Sequence, residues 1–165
     1  MSRLFDELHC VHHTSTFVSS YADWMEGSTG SAGVVYTDVF NIGKYKKVAF
    51  VIQMGAGASG DGVVTVQSCD DTTPGNTQVV AFHYKVSTTS DVFGDWTYVA
   101  NTGFTTTAGA NACYIIEVDA SEMYSTYNYV RCVVTEDTDS ATDGCILTIL
   151  GQPRQMLENP PTAIA

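Results

Sequence analysis

Basic side chains are scarce in this chain. Seven lysines and arginines stand against 18 aspartates and glutamates, for a formal net charge of -11 over 165 residues. Nucleic-acid phosphates and anionic lipid surfaces repel such a protein, and no basic stripe or arginine cluster relieves the imbalance. Neither nucleic acid nor membrane is therefore an expected partner. Long apolar runs are also missing, since no stretch approaches the roughly 18 residues that a membrane span needs. The opening MSRLFDELHC lacks the apolar core of a secretory signal, so folding in the cytosol is expected. No long helical periodicity is present to cover a parallel sheet, which argues against an α/β fold. Of the four prolines, Pro153, Pro160 and Pro161 fall in the last segment, which cannot continue a central strand.

Chemistry-bearing motifs are equally sparse. The five cysteines, Cys10, Cys69, Cys113, Cys132 and Cys145, are well separated and form no CxxC. Free thiols in a reducing compartment are the simpler reading, with Cys132 and Cys145 filling core volume. The glycine-rich GAGASGDG lacks the Lys-Ser/Thr ending of a phosphate loop, and no G-x-S-x-G occurs. His9, His12 and His13 are close together, but His12 and His13 point to opposite sides of an extended chain. Glu136, Asp137, Asp139 and Asp143 have no EF-hand spacing and read as a solvated turn. Glu117 and Asp119 share a face by parity, as the polar side of any sheet requires, and Cys113 has no assignable base. No catalytic residue, metal ligand or cofactor is assigned, and the chain is not expected to be an enzyme.

What the chain does contain is strand-forming sequence joined by turns. Valine, threonine, tyrosine and phenylalanine are plentiful, and 44% of residues are hydrophobic, enough for a real core. Residues 45–54 place Val48, Phe50, Ile52 and Met54 on one face. In residues 63–69, Val64 and Val66 face inward. Residues 78–86 read as one strand with Val80, Phe82 and Tyr84 alternating against Val79, Ala81 and His83. Residues 113–119 form another, and Asp119 is placed to cap a helical turn with Glu122 at its third position. The strongest signal is the pair of runs at 127–135 and 144–151, separated by the acidic stretch 136–143. It predicts a long hairpin with Val130, Cys132, Val134, Cys145, Leu147 and Ile149 inward.

Residues 2–9 read as a helical turn and residues 16–20 as an edge strand, within an N-terminal arm spanning 1–33. The body occupies 34–151 and an extended tail 152–165. Roughly eight body strands with short links predict an all-β fold, an antiparallel β-sandwich in which an eight-stranded jelly roll leads and an immunoglobulin-like sandwich or closed barrel follows. Trp96, Tyr98, Phe93 and Tyr84 suit either inter-sheet packing or a carbohydrate platform.

The segment EVDASEMYSTYNYVRCVVTEDTDSATDGCILTILGQPR resembles small accessory proteins encoded beside the major capsid protein of tailed bacteriophages. In those chains a strand ends at an acidic-alanine turn. A Tyr-x-Tyr-Val-Arg strand, a polar loop and a Leu-Gly strand ending at arginine follow. Residues 117–121, 127–131, 136–143 and 146–154 take those places, and GVVTVQSCDD and VAFHYKV look similar to the central strands. The resemblance covers about residues 34–154 and leaves the arm without a counterpart. It implies a jelly-roll capsid decoration, or cement, protein on the capsid exterior of the virion, made in the host cytoplasm. Its partners would be the major capsid protein and further copies of itself, as a dimer or trimer. Interfaces rest on buried aromatic and aliphatic anchors. The contact residues expected on that basis are Phe5, Phe17, Tyr21, Trp24 and Met25 in the arm, with Met156 and Leu157 in the tail.

Overall fold

The computed structural model describes residues 8–11, 24–25, 33–57, 60–89, 92–108 and 111–154. The strands are β1 (Leu8–Val11), β2 (Val34–Tyr36), β3 (Phe40–Asn41), β4 (Tyr45–Gly57), β5 (Asp61–Cys69) and β6 (Thr77–Val80). They continue with β7 (Phe82–Ser87), β8 (Thr97–Val99), β9 (Phe104–Thr105), β10 (Cys113–Asp119), β11 (Tyr129–Thr138) and β12 (Thr142–Pro153). Two antiparallel sheets pack face to face. The first runs β1-β12-β4-β10-β7-β8; the second runs β2-β11-β5-β6, with β3 also on β11 and β9 on β5. The chain passes repeatedly from one sheet to the other, giving a jelly-roll-like β-sandwich. Its twelve strands outnumber the expected eight because residues 78–86 divide into two strands and because β1, β3 and β9 are not separate strand candidates in the sequence.

The central strands follow their sequence pattern. Val48, Phe50, Ile52 and Met54 of β4 are buried, as are Tyr114, Ile116 and Val118 of β10 and Val64 and Val66 of β5. Phe50 meets Phe40 across the sandwich at 6.3 Å between ring centroids. Near β9, Phe104 stacks flat on Tyr84 at 4.0 Å and meets Phe82 edge-on. The buried Tyr114 hydroxyl accepts a hydrogen bond from Thr107 N at 2.7 Å, which satisfies its polar end. After β10, the Asp119 cap forms as its sequence predicts. Asp119 accepts from Ser121 N while Glu122 accepts from Asp119 N, closing the short 3-10 turn Ala120–Glu122.

Two expectations are corrected by sheet membership. The runs predicted to form a hairpin are β11 and β12, but they lie in different sheets. β11 pairs with β5, β2 and β3, whereas β12 pairs with β4 and β1. Only residues 139–141 link them; the four steps from Thr138 to Thr142 reach about 14 Å when extended, enough to cross the roughly 10 Å between stacked sheets. The single strand expected over 78–86 is likewise two. It breaks at Ala81, where the chain leaves the second sheet as β6 and enters the first as β7. Val80 and Phe82 both remain buried, because a chain that changes sheets still points alternate residues into the shared core.

The inward face of β12 is also corrected. Ile146, Thr148 and Leu150 are buried, while Cys145 and Leu147 are exposed. Both sides of this run are apolar, so hydropathy does not choose between them. Gly144 marks the choice: a β-carbon there would lie 2.5 Å from the Trp24 ring. The residue beside the inserted indole must be glycine, and Ile146, Thr148 and Leu150 share its parity.

Among the described residues, the N-terminal region enters the body at two places. Leu8–Val11 forms an edge strand on β12, so Leu8 and His9 are strand rather than helical turn. Trp24 and Met25 are buried in the core, and Trp24 N donates to Thr142 O at 2.9 Å. Gly62 leaves the space that the Met25 sulfur takes. The expected helical turn at 2–7 and edge strand at 16–20 lie outside the described residues.

Candidate interaction surfaces

The proposed contact residues divide sharply. Trp24 and Met25 suit contact with a neighbour or with their own body, and the structure places both side chains in the core of their own chain. They are corrected from docking anchors to structural ones, because β12 and β5 provide glycines that admit them. Phe5, Phe17, Tyr21, Met156 and Leu157 lie outside the described residues.

Most of the polar residues considered for chemistry have structural work. Glu117 forms an ion pair with Lys47 on the neighbouring strand, which raises the lysine pKa. Asp119 caps its turn, and hydrogen bonds from Ser121 hold its carboxyl below the usual range. Asp70 accepts from Asp71 N, Gly75 N, Asn76 N and Asn76 Nδ2, so its oxygens hold the loop after β5 together. Glu136 is corrected from solvated loop to buried strand residue, 3% exposed. Its Oε2 accepts from Gly33 N at 2.9 Å and its Oε1 from Ser140 N at 3.3 Å. It thereby ties the entry of the body to the β11–β12 crossing. Among the described residues no three histidine, cysteine, aspartate or glutamate side chains gather as a metal site. No helix among them is long and apolar enough to cross a membrane.

The thiols differ by environment. Burial pushes Cys69 up to about 11 and Cys132 up to about 12, and it raises Cys113 as well. Cys145 is exposed, which corrects its expected place in the core. Alkylation of the native protein at pH 8, mapped by mass spectrometry, is expected to modify Cys145 first and Cys132 only on unfolding. The sign of the pH effect follows. Between the unfolded thiol value of 9.0 and the raised folded values the native state binds more protons, so stability falls as pH rises above about 9. Thermal melts from pH 7 to 11 check this, and Cys132→Ala should shift them less with pH.

The distinctive surfaces are the outer faces of the sheets, where strand alternation ordinarily places polar residues. On the first sheet, register aligns Ile115, Val51 and Leu147 across β10, β4 and β12, with Ala49 and Ile149 in the next row. Leu147 is 42% exposed. On the second sheet, Val34 and Tyr36 of β2 are exposed beside Val133 and Thr135 of β11. The Arg131 guanidinium lies 4.5 Å over the Tyr36 ring, and its Nε donates to Gln67 Oε1 at 2.9 Å. A tyrosine and an arginine are thus held against each other on this face. These residues escaped sequence reading because each face looks polar or apolar only once its neighbours are known.

The chain matches no family model, no curated protein and no solved structure.

Proposed function

We propose that this protein is a structural component of a bacteriophage particle. It binds the outside of the capsid and stabilises the shell by bridging capsid subunits, and it associates with itself as a dimer or trimer. The observation that carries the reading is the apolar character of both outer faces. A bridging protein needs two surfaces that are apolar enough to bury, and here Leu147, Ile149, Val51 and Ile115 stand on one sheet while Val34 and Tyr36 stand on the other. Tyrosine and arginine are the residue types that dominate binding energy at interfaces, and Tyr36 and Arg131 are already stacked. The sequence resemblance over residues 34–154 points to the same role.

Many copies at fixed lattice positions turn modest contacts into firm retention. The protein is therefore expected to co-purify with mature particles in stoichiometric amount, and particles lacking it should open at lower temperature. Its absence from purified particles would remove the proposal.

A further inference from the structure

A different part of the first sheet carries a second kind of surface. On its β7–β8 edge two basic side chains each lie against an aromatic ring. His83 sits opposite Tyr98 in register, with ring centroids 5.3 Å apart. One step along the strands, Lys85 Nζ lies 4.9 Å from the Trp96 ring centroid and 5.1 Å from that of Phe93. Trp96 and Tyr98 are 47% and 61% exposed, the second of these among the most open large side chains described. Tyr98 is in β8 and Trp96 immediately precedes that strand, and residues two apart along a strand stand about 7 Å from each other. Tyr84, grouped with them by sequence, instead stacks on Phe104 inside the sandwich.

We infer that Trp96 and Tyr98 form a binding platform for a neutral saccharide. The apolar C–H face of a pyranose ring stacks on an exposed indole or phenol, which is apolar across the ring and polar at its tip. Its hydroxyl groups need donors and acceptors at the ring margin. Lys85 lies over one face of the Trp96 ring, so the sugar stacks on the opposite face; the ammonium offers donors beside it, and no carboxylate pairs with it among the described residues. The Tyr98 hydroxyl and the His83 imidazole complete the margin.

The surrounding charges select against anionic ligands. His83 Nδ1 lies 3.9 Å from Glu122 Oε1, and Glu117 is the register partner of His83 on β10. With a net charge of -11, the chain also repels nucleic acid, whose phosphates a single lysine does not offset. Aliphatic protein contacts belong to the centre of this sheet, around Val51 and Leu147. Lys85 is the register partner of Ile115, so the saccharide platform borders that aliphatic patch, and the variants below separate the two.

The test is a printed array of neutral and acidic oligosaccharides probed with the purified full chain, followed by titration of the best neutral glycan. Binding is expected, with Trp96→Ala and Tyr98→Ala each weakening it tenfold or more, Lys85→Met weakening it about threefold, and Tyr124→Ala leaving it unchanged. In the unmutated protein, the Trp96 indole N–H resonance should shift on titration while that of buried Trp24 stays in place, so the result does not depend on any variant folding. The inference is overturned if no neutral glycan binds or if the Trp96 resonance does not move. It is also overturned if only acidic glycans bind in a salt-sensitive way, or if Trp96→Ala lowers occupancy on particles while glycan binding persists.

Discussion

Replacing Trp24 with alanine is expected to destabilise the protein by about 3–5 kcal/mol, the cost of emptying a large aromatic site in a packed core. For a chain of this size that lowers the melting temperature by roughly 10 °C. The indole is 7% exposed and wedged against Gly144 of β12. Its Nε1 has no hydrogen-bond partner among the described residues. Trp24→Phe removes that unpaired donor while keeping most of the ring, so it should cost well under half as much. The converse change, Gly144→Ala, forces a β-carbon into the ring and should cost about 1–3 kcal/mol. In a Trp24→Ala background most of that second penalty should vanish, because the clash is gone. Chemical denaturation of the four proteins checks this. A loss below about 1 kcal/mol for Trp24→Ala would mean that residues 24–25 rest on the body rather than complete it.

Charged substitutions on the outer faces should do the reverse, sparing the fold and breaking assembly. Leu147→Glu and Val34→Glu alter side chains that are 42% and 43% exposed, so each should change stability by less than about 1 kcal/mol. Burying the new carboxylate against a partner without a counter-charge carries a penalty of several kcal/mol. Each should therefore weaken binding to particles at least a hundredfold, about 2.8 kcal/mol. Tyr124→Glu, at an exposed residue in the loop between β10 and β11, is the control. Sedimentation of each variant with particles, and alone, separates shell contact from self-association. If both variants bind like the unmutated protein, the outer faces are not the contact surfaces.

Local sequence pattern revealed the elements better than their partners. The faces of β4, β5 and β10 were legible because single apolar sides, such as Val48, Phe50, Ile52 and Met54, alternate with more polar ones. Asp119 and Glu122 were legible as a cap because their hydrogen bonds are local. Sheet membership was not legible. A chain that crosses between sheets keeps the same alternation, so β6–β7 read as one strand and β11–β12 as a hairpin. The face of β12 was ambiguous because Cys145, Leu147 and Ile149 are as apolar as Ile146, Thr148 and Leu150. The absent side chain of Gly144 was the available signal. Glu136 was misread because an acidic neighbourhood suggested solvent, whereas its carboxylate holds Gly33 N and Ser140 N.

The same limit applied to the candidate contact residues. Trp24 and Met25 stand out in sequence as large apolar groups in a polar segment, which fits an anchor for another subunit or for its own core equally well. Only the placement of Gly62 and Gly144 against them decides for the core. The exposed Tyr36 and Leu147 carry no comparable sequence mark, since strands contain many such residues and exposure depends on distant pairings.

Reconstitution tests the assembly role most directly. Purified protein is added in increasing amounts to particles that lack it, and bound copies are counted per shell. Binding is expected to saturate at a fixed number of copies related to the capsid lattice, and the temperature at which the shell opens should rise in step with occupancy. Binding that fails to saturate, or saturation that leaves the opening temperature unchanged, would contradict a role in bracing the capsid.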